Sequence, residues 1–174
     1  MLTENEQFEF FWHGPFSQWY KCDFEVRGVL YNCAEQFMMA QKALLFGDEA
    51  TFQKIMDTDS PREQKKLGRQ VSNFSKDKWD EHRYTIVLAA NLAKFSQNED
   101  LKETLMETDL RTLVEASPYD KIWGIGLAET TKDGEPVDDV YDRSQWKGIN
   151  LLGQALTHVR EQFKFTEFTD NGFK

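Results

Sequence analysis

The stretch from Ala34 to Phe46 limits the fold of this chain more than any other. Phe37, Met38, Met39, Ala40, Ala43, Leu44, Leu45 and Phe46 leave it almost without a polar side. Asn32 reads as an N-cap and Gly47 as a stop, so the segment predicts a helix from about residue 32 to residue 46. A helix apolar all round is a buried helix, so other elements must cover it. The rest of the sequence supplies them. Glu49–Met56 reads as a second helix, and Ser60-Pro61-Arg62-Glu63 combines an N-cap, an N1 proline and a capping-box glutamate for a third. A long helix follows from about Lys76 to Phe95, with Trp79, Ile86, Ala90 and Ala93 expected on its apolar face. Leu101, Leu105 and Met106 mark a short helix, and a last one starts near Asn150 with Leu152, Ala155, Leu156, Val159 and Phe163. Phe24–Tyr31 alternates around Arg27-Gly28 and is the one region that reads as a β-hairpin. The expectation is a mainly α fold with a small β element, multihelical and single-domain.

Composition narrows the function classes. With 174 residues the chain has room for one domain of ordinary size, read as residues 8–165 with a flexible tail over 166–174. Aromatic residues make up 14%, enough to fill a core and to argue against a disordered chain. The formal net charge is -9, which argues against tight binding to unmodified duplex DNA, because that binding relies on Lys and Arg neutralising phosphates. A small phosphorylated ligand on a local basic cluster remains compatible with it. No apolar run reaches the roughly 18 residues of a membrane span, and residues 1–7 lack the basic and apolar regions of a signal peptide. The two cysteines, Cys22 and Cys33, form no disulfide framework or metal set, so they are expected as reduced thiols in a cytoplasmic protein.

Three segments carry candidate chemistry. On the buried helix, Glu35 and Lys42 are separated by seven positions and fall within roughly 20° of each other, about 10 Å apart along the axis. Met39 lies between them, and Lys42 leans back toward Glu35. A carboxylate and an amine then share one stripe. The plain alternatives are Glu35 as the capping-box partner of Asn32 and Lys42 snorkelling to solvent. The second segment is Asp120-Lys121-Ile122-Trp123-Gly124-Ile125-Gly126, where a tryptophan beside glycines offers a flat face to a planar ring. Its alternative is a tryptophan that only fills the core. The third is Lys65-Lys66-Leu67-Gly68-Arg69, where Lys65 and Arg69 share a helical face and can hold phosphate, or simply form a solvated basic face. Glu135, Asp138, Asp139 and Asp142 have no EF-hand spacing and read as a solvated acidic loop. His13, His82 and His158 show no paired metal spacing, and no Walker or Rossmann phosphate loop is present. No metal and no cofactor are therefore expected.

Taken in order, these segments resemble the NADAR family, also called YbiA-like N-glycosidases, from about Phe10 to Phe163. The elements are Tyr31-Asn32-Cys33-Ala34-Glu35-Gln36-Phe37-Met38-Met39-Ala40-Gln41-Lys42-Ala43, Lys66-Leu67-Gly68-Arg69, Lys78-Trp79 and Ala93-Lys94-Phe95. Val114-Glu115-Ala116-Ser117 with Asp120, Trp123-Gly124-Ile125-Gly126 and Gly148-Ile149-Asn150-Leu151-Leu152-Gly153 follow. One common form of the motif has His after the glutamate, where this chain has Gln36. The resemblance implies hydrolysis of a C–N glycosidic bond on a phosphorylated riboside. Two substrate classes go with the family: phosphoribosylamino-pyrimidine intermediates of riboflavin synthesis, and ADP-ribose on guanine, free or in single-stranded DNA. It implies Glu35 and Lys42 as catalytic, with Arg69, Trp79, Asp120, Trp123, Gly124 and Asn150 binding substrate. A module that binds ADP-ribose or NAD without cleaving it would keep Trp123 and Arg69 and would not need Glu35.

Overall fold

The computed structural model describes residues 6–172. Among them are six α-helices and four short strands, the mainly helical architecture that the periodicities predict. The chain packs as two compact units. One runs from Gln18 to Lys102; the other joins the N-terminal segment through Ser17 to the chain from Glu103 onward.

In the first unit, β2 (Phe24–Val26) and β3 (Val29–Tyr31) pair antiparallel, with Phe24 opposite Tyr31. The two-residue turn between them has Arg27 and Gly28 both at positive φ, 53° and 80°, the conformation that matches the twist of a tight hairpin. Helix α1 (Ala34–Leu45) follows and is buried along most of its length, as its all-round apolar sequence requires. It packs on α2 (Glu49–Met56), α3 (Pro61–Gly68) and α4 (Lys76–Gln97). Phe24, Tyr31 and Phe37 interlock their rings where the hairpin meets α1.

Two expectations change here. Helix α4 buries Val87, Ala90, Asn91, Lys94 and Phe95; of the expected face Ala90 is buried, while Trp79, Ile86 and Ala93 are only half-buried. Hydropathy misplaces that face because α4 buries polar residues that find partners: Asn91 Nδ2 donates to Gln18 Oε1 and to Val87 O, each at 2.9 Å. The N-cap of α1 is Cys33, not Asn32. Its Sγ accepts from the Gln36 N–H at 3.4 Å, while Asn32 Nδ2 donates to Asp59 and Asn32 Oδ1 accepts from Gln64.

After α5 (Glu99–Met106), the second unit contains a sheet that the hydropathy pattern did not single out. There β1 (Phe8–Phe11) runs parallel to β4 (Thr112–Glu115), with Phe8 opposite Thr112 and Phe11 opposite Glu115. Four-residue strands carry too short a pattern to read alone, and the two partners lie far apart in the sequence. Phe8 and Phe10 pack on a buried cluster of Val114, Ile125, Leu127 and Val140. Helix α6 (Leu151–Gly172) packs on β4 and buries Leu152, Ala155, Leu156 and Val159 of the expected face, while Phe163 is only half-buried. It continues through Thr166 to Gly172. The acidic loop contains two single 3-10 turns, Asp138–Tyr141 and Arg143–Gln145.

Candidate active site

Because Cys33 caps α1, Glu35 is the second helical residue and not the capping-box partner. That reach-back is made by Gln36, whose Oε1 accepts from the Asn32 N–H at 2.8 Å. Gln36 Nε2 points to the carbonyl of Ile55 at 3.2 Å, so this side chain ties α1 to the end of α2. Glu35 is only 2% exposed, and its backbone N–H donates to Gln18 O at 2.9 Å. A buried carboxylate in the first turn is favoured by the positive end of the helix.

One heptad on, the Lys42 ammonium donates to Gly68 O at 2.7 Å. It also lies 4.4 Å from the Phe74 ring centroid and 5.5 Å from that of Trp79. Desolvation pulls its pKa below the ordinary lysine value; the nearby Arg69 charge adds to this, and Glu35 opposes it. Phe74 completes the aromatic wall and stands edge-on to Phe46, with centroids 5.4 Å apart. Asn73, at φ 55°, turns the chain just before it. Asp48 ties that turn down. Its carboxylate accepts from Ser72 N at 2.9 Å and from Thr51 N at 3.0 Å, and these bonds hold it well below the usual carboxylate range. Lys65 and Arg69 do not act as one pair: Lys65 Nζ reaches toward the Trp19 ring, at 6.0 Å, while Arg69 caps α3. This unit thus brings together Glu35, Lys42, Arg69 and Trp79. Sequence reasoning missed Phe74 and the Gly68 carbonyl. A lone aromatic after a turn gives no periodic signal, and a backbone acceptor gives none at all.

The other candidates lie in the second unit. Asp120 Oδ1 accepts from Ile122 N at 2.9 Å and from Trp123 N at 2.7 Å, and this turn presents the half-buried Trp123 ring. Gly124 is needed because its Cα is crowded by the protein itself: a Cβ there would stand 2.7 Å from Glu115 O. Asn150 is buried, and its amide stitches β4, giving Nδ2–H to Leu113 O at 2.9 Å and accepting from Glu115 N at 3.0 Å. The approach to α6 and its first two N–H groups bond to the Trp123 loop: Ile149, Asn150, Leu151 and Leu152 donate in turn to the carbonyls of Lys121, Gly124, Ile122 and Trp123. Leu151 and Leu152 are among the donors a helix start leaves without an intrahelical partner, and the loop satisfies them. Tyr119 is 81% exposed and lies 5.8 Å from Trp12, which adds an aromatic edge beside this loop.

Among the described residues no group of three or more His, Cys, Asp or Glu is placed to hold a metal. No helix is long and apolar enough to cross a membrane. Both cysteines are free thiols, and burial pushes Cys33 up to about 11.

Comparison with known proteins identifies the family. A family model described as the NADAR domain matches residues 9–164, spanning both units. N-glycosidase R617 of Acanthamoeba polyphaga mimivirus is 47% identical over 152 residues, 84% of this chain and 86% of the viral protein. Protein irg-1 of Caenorhabditis elegans is 41% identical over 135 residues, 76% of this chain and 60% of that protein. The solution structure of YbiA from Escherichia coli superposes with a TM-score of 0.75 at 26% identity, covering 95% of this chain and 90% of YbiA. On this combination of a matched domain, close relatives and a shared fold, the chain belongs to the NADAR family.

Proposed function

We propose that the chain hydrolyses the C–N glycosidic bond of a phosphorylated riboside, either a phosphoribosylamino-pyrimidine of riboflavin synthesis or ADP-ribose attached to guanine. Hydrolysis of N-glycosyl bonds is the coarser part of this reading, and membership of the family with relatives named N-glycosidases carries it. The observation that carries the finer part is the Lys42 amine, held beside aromatic rings, with its proton affinity lowered, one heptad from a buried carboxylate. Breaking a ribosyl C–N bond builds positive charge at the anomeric carbon. Glu35 stabilises that charge or passes a proton to the leaving nitrogen. A lowered pKa raises the share of neutral, nucleophilic amine at any given pH. Lys42 attacks the anomeric carbon as the C–N bond breaks and the base leaves with a proton; the ring opens to an imine on Lys42, and water hydrolyses that imine to the free sugar aldehyde and the lysine amine. Arg69 is assigned to the phosphate, and Trp79 and Trp123 to planar groups. Asp120 supports the Trp123 loop; Gly124 and Asn150 support its backing. A guanine in nucleic acid is taken from single strands, since a paired base must first leave the stack. Free thiols fit a reducing compartment, and we assign the enzyme to the cytoplasm.

A mass-spectrometric panel of riboflavin intermediates, ADP-ribosylated guanosine and ADP-ribosylated DNA tests this reading. Wild type is expected to release base and sugar phosphate from one class. Glu35→Gln keeps the shape and is expected to lose about a hundredfold or more of the turnover, the usual range for a proton-transfer group, while remaining folded. Tight binding without product release would leave the non-cleaving ADP-ribose or NAD module, and full turnover by Glu35→Gln would remove Glu35 from the chemistry.

A further inference from the structure

We propose that Gly68 is a positioning residue for the reaction: its carbonyl oxygen anchors the Lys42 amine, and only a residue without Cβ lets α3 approach α1 closely enough to do so. The inference rests on the reading of Lys42 as the amine that meets the sugar.

Three features meet at this point. Gly68 is the last residue of α3, and the final carbonyls of a helix have no partner within it. A cation is favoured at that end by the helix dipole. Lys42 Nζ supplies it from α1, at 2.7 Å. The second feature is crowding. A Cβ on Gly68 would stand 1.9 Å from Met39 Sδ, 2.9 Å from Met39 Cγ and 3.2 Å from Met39 Cβ. Met39 is itself buried and lies three residues before Lys42 on α1, so the two side chains share a face. The residue that packs on the Gly68 α-carbon is thus neighbour to the residue that takes its oxygen. Gly68 is not among the residues at positive φ, so the need for glycine here is space and not conformation.

The third feature is direction. A lysine amine on a flexible stem samples many orientations. Here one N–H is committed to the carbonyl, with the Phe74 and Trp79 rings also beside the nitrogen. A neutral amine keeps that N–H bond, and its lone pair then points away from the Gly68 oxygen. The carbonyl therefore holds the nitrogen and keeps the attacking electron pair off the Gly68 oxygen.

Ribose 5-phosphate with borohydride reads this out without knowledge of the natural substrate. The amine adds to the aldehyde carbon and water leaves. Hydride then adds to the imine carbon and a solvent proton to nitrogen, fixing a secondary amine whose mass appears on the peptide holding Lys42. Wild type is expected to give this adduct. Gly68→Ala is expected to trap about ten- to a hundredfold more slowly, the cost of a misplaced reacting group. Met39→Ala opens a cavity and lowers the melting temperature, yet it leaves the carbonyl in place and traps at close to the wild-type rate. A role in packing alone predicts the reverse ranking. The double variant Met39→Ala/Gly68→Ala has room for the new methyl and recovers the rate. If Gly68→Ala does not fold, Met39→Phe presses on Gly68 from the other side and carries the same expected loss. A folded Gly68→Ala or Met39→Phe protein that traps like wild type overturns the proposal. No adduct in wild type, with full turnover by Lys42→Ala, overturns the reading of Lys42 and this inference with it.

Discussion

Replacing Lys94 by Met should stabilise the protein at neutral pH, and the gain should shrink as the pH rises. Lys94 is 0% exposed on α4, and burial pushes its pKa from 10.5 down to about 8. The unfolded chain therefore holds this proton more tightly than the folded one. Below about pH 8 the folded state carries the full penalty of a buried ammonium, about 3 kcal/mol at 1.36 kcal/mol per pKa unit. Between about 8 and 10.5 the unfolded state alone binds the proton, so stability rises with pH, and above that window the penalty is gone. From pH 7 to pH 9 the relief integrates to about 1 kcal/mol. Cys33 acts oppositely, because its folded value near 11 exceeds the ordinary 9.0. Its unfolded thiol ionises first, so it lowers stability as pH climbs from about 9 to 11, and the clean window for Lys94 is pH 7 to 9. Lys94→Met keeps the volume and loses contacts with the Tyr20 and Phe95 rings, at 5.5 and 5.1 Å, worth about 1–2 kcal/mol together. The net gain at pH 7 is then about 1–2 kcal/mol. Urea unfolding of both proteins at pH 7, 8 and 9 measures it. A stability difference that stays constant across that range would refute the reasoning, whatever its sign at pH 7.

Two further outcomes concern the sites. Trp123→Ala should weaken substrate binding by about ten- to a hundredfold, since stacking on an aromatic is worth about 1 to 3 kcal/mol, with Trp123→Phe retaining more; equal affinity in a well-folded Trp123→Ala protein would leave only a packing role, so melting temperature is measured alongside. Asp48→Asn should flatten the acid limb of stability: the carboxylate is held below its ordinary 3.8 by the Ser72 and Thr51 N–H groups, so its contribution is full above that value and lost as pH falls through the depressed one. Acid titration of the melting temperature compares the two proteins, and an unchanged limb would remove Asp48 as the clamp of the Phe74 turn.

The sequence by itself determined the local elements and one side of the chemistry. Residues 34–46 had to form a covered helix, because apolar residues on every side leave no face for water, and helical periodicity alone put Glu35 and Lys42 on one stripe of it. Ser60-Pro61 and Arg27-Gly28 likewise act within a few residues, through a cap, a fixed φ and a left-handed turn. Tertiary structure decided everything that needed a distant partner. The parallel pair of β1 and β4 is invisible in either four-residue stretch, and the buried face of α4 takes in the polar Asn91 beside Val87, Ala90 and Phe95 because Gln18, distant in sequence, gives it a partner. The Cys33 cap depended on Asn32 being engaged by Asp59 and Gln64. At the site, the Lys42 amine is set by a carbonyl on α3 and a ring on the turn after it, contacts that need the close approach of two helices where Gly68 has no Cβ to press on Met39. Backbone oxygens are identical at every position along a chain, so only the packing of the helices selects the one that holds an amine.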